Sequence, residues 1–346
     1  MSTQKALYLP ELKGKLIIKE RDIPEPGPGE VLIEVHAAGL NPADWKISEL
    51  GILVTEYPIV LGLDSAGIVK KVGPEVTNVA VGDRVLHSGF RNVRSGTFQQ
   101  YTIAPAEIIA KIPPNLTLDQ AASIPLAAAA AAVGLYYRTG TDVISLTAPW
   151  EKGGRGKYAG EPILVIGGSS AVGQQVVQFA RISGFSPIIA TGSLHNETYL
   201  KSLGVTHVID RDASLSALHT AVKKITAKPV KVVFDAVSFA DTQNAAYEVL
   251  APGGKLIIVL PSAVDEDKTT PEKQAVMVYS SFWGTERREL GKNLYAELTG
   301  WLEAGEIKPN NIEVLPGGLV GILSGLERLK KGISAVKLIA HPQENA

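Results

Sequence analysis

The chain has 346 residues, 45% of them hydrophobic, and its 34 Lys and Arg against 35 Asp and Glu give a formal net charge of −1. This composition excludes an intrinsically disordered chain, and the charge gives no electrostatic basis for binding nucleic acid or an anionic membrane. Because the length exceeds one average domain, we expect two lobes and a small-molecule substrate.

The chain opens on residues 1–20, in which charged and apolar side chains alternate. This segment lacks the continuous apolar core of a secretory signal peptide. We therefore expect a soluble, cytoplasmic protein.

Short strand-like runs follow, separated by turns rich in Pro and Gly, such as those at 24–29 and 81–83. This pattern predicts a small, mostly β, barrel-like lobe. The predicted strands cover residues 31–37, 65–72, 84–87, 101–104 and 108–112.

An alanine-rich stretch at 121–137 is the one segment that resembles a membrane span. It is shorter than the roughly 20 apolar residues that a spanning helix needs, and Pro125 near its start suits the first turn of a helix. We predict a buried helix that leads from one lobe into the other, and no membrane contact.

Apolar runs and helical patterns then alternate along the chain. Such alternation predicts an α/β lobe of the Rossmann type, with a doubly wound parallel sheet that binds its ligand at the carboxyl ends of the strands. The predicted strands cover residues 163–167, 187–191, 207–210, 230–235 and 255–260, and the predicted helices cover 172–183, 197–203, 215–226 and 242–250.

A glycine-rich turn joins the first of these strands to a helical pattern that starts at Gln174. A strand, a glycine turn and a helix in this order bind a dinucleotide pyrophosphate through backbone N–H groups at the positive end of the helix dipole. The motif alone is weak, because Ser169 replaces the middle glycine of G-x-G-x-x-G. The predicted cofactor contacts of this turn are Gly167, Ser169, Ser170, Ala171, Val172 and Gly173.

The end of the second predicted strand bears on the choice of coenzyme. NAD sites usually place Asp or Glu about 20 residues after the glycine turn, where it binds the ribose 2′-hydroxyl. Residues 188–196 contain no acid, so the sequence favours NADPH, with a 2′-phosphate bound by Ser193, His195, Tyr199 and Lys201. The alternative is that His195 and Asn196 only cap the helix that starts near Glu197.

Elements after Phe282 are assigned to the first lobe: a helix at 286–304, a strand at 312–315, a helix at 320–330 and a strand at 336–340. The first lobe is then discontinuous and comprises residues 1–125 and 284–346, while residues 126–283 form the cofactor lobe. Within the cofactor lobe, residues 276–282 are predicted to form an edge strand.

The chain contains no cysteine, which excludes a disulfide and a thiolate-bound zinc. Its histidines show no H-E-x-x-H or similar ligand spacing, so we predict no metal site. Without a Lewis acid to ionise an alcohol, we expect reduction of an electron-poor C=C bond. The six histidines are His36, His87, His195, His207, His219 and His341.

Four motifs in the first lobe resemble, in order and spacing, those of the medium-chain dehydrogenase/reductase superfamily. They are Pro26-Gly27-Pro28-Gly29-Glu30-Val31, Ala38-Gly39-Leu40-Asn41-Pro42-Ala43-Asp44, Gly62-Leu63-Asp64-Ser65-Ala66-Gly67 and Val81-Gly82-Asp83-Arg84-Val85. Within the superfamily the chain resembles the zinc-free quinone oxidoreductase and enoyl reductase branch. The segments at 41–46, 148–150, 167–170 and 193–196 are most similar to the fungal ToxD-like group, which includes trans-acting enoyl reductases.

The resemblance implies a GroES-like first lobe and an active site in the cleft between the lobes. It identifies Asn41 and Leu63-Asp64 with the zinc-ligand positions of the alcohol dehydrogenases. It also implies a substrate that is a small molecule or an acyl-carrier-bound polyketide, in a role in secondary metabolism, and a protein that is a monomer or a homodimer.

Candidate catalytic residues are Lys46, Asn41, Asp64 and Tyr137. Lys46, which the resemblance places beside the nicotinamide, stabilises an enolate oxygen or is a solvated loop lysine. Asn41 donates to the ribose or the substrate, or only shapes the turn before Pro42. Asp64 acts at the zinc-ligand position or braces backbone N–H groups. Tyr137, like Tyr57, is a proton donor or a core residue, and bulk water is an alternative donor.

Further cofactor contacts are predicted from their positions in the fold. Val237 and Leu260 follow strands and should lie along the ribose and nicotinamide. Phe282 and Trp283 should wall the nicotinamide pocket. Lys337 resembles a position that reaches the cofactor phosphates, although it can equally be a surface lysine.

Two other functions are compatible with the sequence. The segment 167–171 also resembles the G-x-S-x-G elbow of an α/β-hydrolase, with Ser169 as nucleophile. A non-catalytic protein that binds NADPH as a sensor or a structural component is the second alternative.

Overall fold

The computed structural model describes residues 2–140, 144–212 and 215–344. The chain divides into two compact units. The first unit comprises Met1–Leu126, Tyr295–Gly305 and Pro309–Ala346, and the second comprises Ala127–Leu294 and Glu306–Lys308. Residues 284–294 and 306–308, which the sequence assigns to the first lobe, therefore lie in the second unit.

Strands occur in both units of the described chain. In chain order they are β1 (Thr3–Leu9), β2 (Ile17–Asp22), β3 (Glu30–Gly39), β4 (Ile59–Val60), β5 (Asp64–Val72), β6 (Arg84–Ser88), β7 (Tyr101–Pro105), β8 (Ile109–Lys111), β9 (Ile163–Ile166), β10 (Ile188–Gly192), β11 (His207–Asp210), β12 (Val232–Asp235), β13 (Lys255–Ile258), β14 (Gln274–Met277), β15 (Ile312–Val314) and β16 (Lys337–Ala340).

The α-helices of the described residues complete the secondary structure. They are α1 (Pro42–Leu50), α2 (Leu118–Ala121), α3 (Pro125–Tyr136), α4 (Ala171–Ile182), α5 (Glu197–Leu203), α6 (Leu215–Ile225), α7 (Ala240–Val249), α8 (Thr285–Glu303) and α9 (Gly318–Lys331).

The second unit is built on one parallel sheet with the strand order β11-β10-β9-β12-β13-β14. Its central strand β9 is buried along its whole length because both of its faces are apolar. The strand order reverses between β9 and β12, and doubly wound sheets bind their ligands at such a switch point. The predicted Rossmann fold is confirmed.

The first unit is mostly β and contains two sheets. In the larger sheet the order is β15-β16-β3-β5-β6-β8, with β7 also paired to β3, and the smaller sheet has the order β2-β1-β4. An apolar core that includes Leu7, Leu40, Ile47 and Leu338 packs α1 and α9 against these strands. The predicted GroES-like lobe is confirmed.

Strands β1 and β2 are absent from the elements that the sequence predicts. The side chains of β1 alternate between buried and exposed over its first four residues. Such period-two alternation is typical of a half-buried strand, so the signal for β1 is present in the sequence.

The predicted alanine-rich helix is α3, and Pro125 occupies its first turn as predicted. Helix α2 ends at Ala121 and α3 begins at Pro125, because the proline ring restricts the residue before it. Among the described residues one stretch, Leu118–Tyr136, is apolar and long enough to cross a membrane, and 78% of its apolar window is buried inside the protein. Such burial is typical of a core helix.

The predicted edge strand at 276–282 lies at the correct edge of the sheet, but its bounds were wrong. The strand is β14, Gln274–Met277, which pairs in parallel with β13. It starts and ends earlier because the register places Lys255 opposite Gln274.

Gly134 lies where α3 packs most tightly against the parallel sheet. A Cβ atom at this position would lie 2.6 Å from Phe234 Cε2 and 3.0 Å from Ile257 Cγ2. We predict that Gly134→Ala lowers the free energy of unfolding by about 1–3 kcal/mol, since overpacked cores shift to relieve contacts. Chemical denaturation measures this change.

Gly300 of α8 is the matched control, because no atom lies within 4 Å of its added Cβ. We expect Gly300→Ala to raise the free energy of unfolding by roughly 0.5–1 kcal/mol, the helix penalty of glycine. Equal effects of the two substitutions would contradict the packing described for α3.

Candidate active site

The glycine turn of the second unit is held by the exit of the neighbouring strand. Gly167 has a φ of 73°, in the left-handed region that favours glycine. Its N–H donates to Thr191 Oγ1 at 2.9 Å, and the Gly168 N–H donates to the Thr191 carbonyl at 2.9 Å. Thr191 therefore fixes the turn, a role that the sequence did not reveal.

Helix α4 begins within the glycine motif, at Ala171, one residue before the start of the helix predicted at 172–183. Ser170 is its N-cap, and its Oγ accepts the Gly173 N–H at 3.0 Å. A Cβ on Gly173 would lie 2.2 Å from the Gly167 carbonyl oxygen, so the helix approaches the strand this closely only with glycine there. Ala171 and Val172 thus carry first-turn N–H groups, which have no acceptor within a helix.

Ser169 is 9% exposed, and its carbonyl accepts a hydrogen bond from the Gln174 amide at 2.9 Å. The Gln174 side chain also accepts the Tyr199 hydroxyl at 2.6 Å. Gln174 therefore ties α5 to the glycine turn, and the Tyr199 hydroxyl, predicted to donate to a phosphate, donates to this amide.

The exit of β10 carries the other predicted phosphate contacts. Ser193 is nearly buried, whereas His195 is exposed on a short 3₁₀ turn, Leu194–Asn196. Lys201 pairs with Glu197 at 2.7 Å on the same face of α5. The structure thus brings Ser193 and His195 together at the strand exit and places Lys201 one turn further along the helix.

A buried carboxylate organises the next strand exit, at the switch point. Asp235 is fully buried, and its Oδ1 accepts the N–H groups of Val237 and Ser238 at 2.9 and 2.8 Å. Burial raises the pKa of Asp235. The Ser238 Oγ then accepts the Val259 N–H at 2.9 Å, which joins the exits of β12 and β13. Sequence reasoning named Val237 but missed Asp235 and Ser238.

The remaining predicted contacts of the second unit lie after β13 and β14. Leu260 is half-buried two residues after β13 ends. Phe282 is 2% exposed and packs against Gly291 of α8, and the Trp283 carbonyl accepts a hydrogen bond from Arg288 at 2.7 Å. Their contact with a nicotinamide stays a prediction.

Tyr137 lies against a cation and not simply in the core. The Arg287 guanidinium carbon is 4.8 Å from the Tyr137 ring centre and 5.7 Å from that of Tyr279. These residues line a cavity of about 390 Å³ together with Val133, Gly134 and Val276.

A buried polar network occupies the first unit. The Lys337 ammonium lies 2.7 Å from Asp64 Oδ2 and 2.6 Å from Asn41 Oδ1, and the Asn41 amide donates to the same carboxylate oxygen at 2.8 Å. The Lys337 and Asp64 side chains are 3% and 0% exposed. Asp64 Oδ1 also accepts the Leu126 N–H at the start of α3, at 2.6 Å.

This network joins three residues that the sequence named separately. Lys337 was predicted to reach cofactor phosphates, but its ammonium neutralises Asp64 and is almost inaccessible to water. Asp64 was predicted either to take part in the reaction or to accept hydrogen bonds from backbone N–H groups. The structure shows such a hydrogen bond, from the Leu126 N–H. Their direct roles with a ligand stay predictions.

Asp44 belongs to the capping box at the start of α1. Its Oδ2 accepts the Asn41 N–H at 2.8 Å, and the side chain is completely buried. Burial raises the pKa of Asp44 to about 7 against the smaller opposing effects of the Asn41 N–H and the Lys337 charge.

Lys46 lies on another face of α1 and is half-buried. Its ammonium is 5.7 Å from the centre of the Trp45 ring, and burial lowers its pKa. A lowered pKa brings a lysine closer to the range in which it can release a proton.

The donor set of Asn41 and Asp64 does not fit a metal ion. Asn41 and Asp64 use their oxygens to hold the Lys337 ammonium. Across residues 2–140, 144–212 and 215–344, no three His, Cys, Asp or Glu side chains are grouped as a metal would require.

Comparison with known families agrees with the two units. Residues 27–114 match the alcohol dehydrogenase GroES-like domain, and residues 171–299 match the zinc-binding dehydrogenase family. A trans-enoyl reductase of a Penicillium species is 31% identical over 98% of each chain. The chain belongs to the medium-chain dehydrogenase/reductase superfamily. It is therefore an oxidoreductase, and the hydrolase alternative is set aside.

Other relatives support this placement. A trans-enoyl reductase of Aspergillus japonicus is 32% identical over 90% of this chain and 89% of its own. An alcohol dehydrogenase superfamily protein of Novosphingobium aromaticivorans shares the fold with a TM-score of 0.77 at 24% identity, covering 97% and 98% of the two chains. A mycobacterial protein complexed with NADPH gives a TM-score of 0.76 at 24% identity, covering 98% of this chain and 100% of its own.

The buried ion pair generates a prediction about stability. Lys337→Met leaves the Asp64 carboxylate buried without its cation, so we expect the free energy of unfolding to fall by about 3–5 kcal/mol. The double variant Asp64→Asn/Lys337→Met removes both charges, keeps a side-chain oxygen for the Leu126 N–H, and should recover part of this loss. Chemical denaturation measures all three proteins.

Lys331→Met, at an exposed position of α9, is the control and should change the stability little. If Lys337→Met changes the free energy of unfolding as little as Lys331→Met does, the Lys337–Asp64 pair does not contribute as described.

Asp44 generates a prediction about pH. The pKa of Asp44 rises from 3.8 in the unfolded chain to about 7 in the folded protein, so the folded state binds the proton more tightly. The stability that the protonated carboxyl contributes is therefore lost as the pH rises from about 4 to about 7. Asp44→Asn cannot ionise. We therefore expect the free energy of unfolding of the variant minus that of the wild type to be larger at about pH 8 than at about pH 5, by roughly 1 kcal/mol or more. Urea unfolding at the two pH values measures this, and a pH-independent difference would contradict it.

Proposed function

We propose that the protein is an NADPH-dependent reductase that transfers hydride, without a metal ion, to an activated C=C bond in an enoyl thioester, enone or enal, or to a quinone. One observation carries the proposal. In the parallel sheet, the glycine turn follows β9 at the switch point, and the exit of the neighbouring strand β10 contains no acidic residue. The relatives named trans-enoyl reductases support the reaction class.

The coenzyme assignment follows from the geometry of the turn. The first-turn N–H groups of α4 suit the pyrophosphate, and the closeness of α4 to β9 at Gly173 leaves no side chain in the way. At the β10 exit, Ser193 and His195 offer donors for a 2′-phosphate, and no carboxylate on residues 188–196 repels it. The NADPH complex of the mycobacterial neighbour is consistent with this choice.

The first-turn N–H groups of α4, with Ser193 and His195, would hold NADPH, which would supply a hydride for the β-carbon of a conjugated carbonyl compound, and the carbonyl oxygen would then carry negative charge. The protein must orient the substrate, stabilise this charge and allow a proton to reach the α-carbon. A permanent metal is not needed for these tasks, since conjugation already polarises the double bond.

We assign the stabilisation of this charge to Lys46. Burial is what lowers the pKa of its ammonium, and no neighbouring carboxylate raises it. Its positive charge is therefore not already neutralised by an ion pair. Asn41 contributes indirectly, because Lys337 and Asp64 fix its amide. An acyl-carrier-bound polyketide is one substrate form that the proposal includes.

We predict that Lys46→Ala lowers kcat by at least about tenfold while the dissociation constant of NADPH changes little, because the charge is needed mainly in the transition state. Steady-state kinetics with an enone and calorimetric binding of NADPH separate the two effects. Lys46→Arg keeps the charge and should retain part of the rate. An unaltered rate in Lys46→Ala would remove the residue from the mechanism.

We also predict that the double substitution Ser193→Ala/His195→Ala weakens the binding of NADPH by about tenfold or less and leaves NADH little changed, because only NADPH carries the 2′-phosphate. Calorimetry with each coenzyme measures this. Equal losses for both coenzymes would contradict the assignment of the β10 exit.

The sensor alternative is tested directly by turnover. Consumption of NADPH is followed with a panel of enoyl thioesters, enones, enals and quinones. The reductase proposal expects steady oxidation with at least one class of acceptor. Tight binding of NADPH without oxidation by any of them would instead favour a sensor or a structural protein.

A further inference from the structure

Arg211 lies beside the exit of β10, although it follows β11, the next strand of the sheet. Strands β10 and β11 run parallel, with Gly192 opposite Asp210. The Arg211 N–H donates to the Gly192 carbonyl at 3.1 Å. The backbone of Arg211 is therefore hydrogen-bonded to the residue directly before Ser193.

The cation predicted from the sequence is poorly placed for this exit. Lys201 is in the last turn of α5, one turn beyond Glu197, and pairs with that carboxylate at 2.7 Å. The Tyr199 hydroxyl donates to Gln174. Ser193 and His195 remain as donors, but a phosphate dianion is bound most strongly by a permanent, forked cation such as arginine.

The guanidinium of Arg211 is available for such a ligand. Its side chain is 55% exposed, and its Nε lies 3.6 Å from Asp212 Oδ1, on a side chain that is itself 80% exposed. Exposed pairs of this kind contribute little to stability, so a phosphate can displace the carboxylate. Asp210 Oδ1 is occupied by the Asp212 N–H at 3.1 Å.

We propose that Arg211 binds the 2′-phosphate of the coenzyme and is the residue that sets the preference for NADPH over NADH. The inference rests on the proposed function for the identity of the coenzyme. The negative charges of Asp210 and Asp212 beside Arg211 oppose phosphate binding, so loss of the guanidinium leaves a site that repels the 2′-phosphate and tolerates a 2′-hydroxyl.

The test uses 2′,5′-ADP and 5′-AMP, which differ by the 2′-phosphate alone and require no catalysis. Calorimetry on the full-length chain compares the wild type with Arg211→Ala, Arg211→Gln and the control Lys223→Ala, at an exposed position of α6. We expect both Arg211 variants to bind 2′,5′-ADP at least about tenfold more weakly and 5′-AMP within about twofold of the wild type, since a charge-assisted contact is lost only with the first ligand. Lys223→Ala should bind both ligands like the wild type.

Equal affinities of the wild type and the Arg211 variants for 2′,5′-ADP would overturn the inference, as would parallel losses for both ligands. Arg211→Gln keeps a side chain of similar reach, and circular dichroism of each variant separates a local effect from unfolding.

The two proposals can fail separately. If the wild type reduces enones with NADPH but Arg211→Ala keeps its affinity for NADPH, the role of Arg211 is wrong and the reductase stands. If 2′,5′-ADP binding depends on Arg211 but no acceptor is reduced, Arg211 stands and the reductase proposal is wrong.

Discussion

The close approach of α4 to β9 is the constraint on which the second unit depends. At Gly173 the helix backbone comes so near to the Gly167 carbonyl that a single added methyl would lie 2.2 Å from its oxygen. This contact aims the first turn of α4 along the exit of the central strand, and Thr191 fixes the turn from the neighbouring strand. The proposed dinucleotide site is thus made of backbone, whose N–H groups do not depend on the side chains at Ala171 and Val172.

The first unit differs from the second, since it buries an ion pair between Lys337 and Asp64. Lys337 supplies the positive charge, Asp64 supplies the negative one, and Asn41 bridges them. Such a pair fixes the positions of its side chains but adds little net stability, because the cost of desolvating the two charges offsets most of their attraction. Its consequence for function is indirect: Asn41 is held rigid at the N-cap of α1, the helix that carries Lys46.

Sequence patterns predicted the parts of the fold that repeat. The parallel strands read as continuous apolar runs, and the glycine turn follows the first of them, so the Rossmann unit was correctly predicted almost element by element. The long-range partners were not predictable, because nothing in the local sequence joins Lys337 to Asp64 or Arg211 to Gly192. Pairing of this kind depends on strand register, and the same limitation left Asp235 and Ser238 unnoticed.

Isothermal titration of the full-length protein with NADPH tests the central claim most directly, with Gly173→Ala as the matched variant. The account predicts that the wild type takes up NADPH, and that Gly173→Ala, still folded by circular dichroism, binds it at least about tenfold more weakly because the added methyl pushes α4 away from the turn. No uptake of NADPH by the wild type, or equal affinity in a folded Gly173→Ala, would contradict the account.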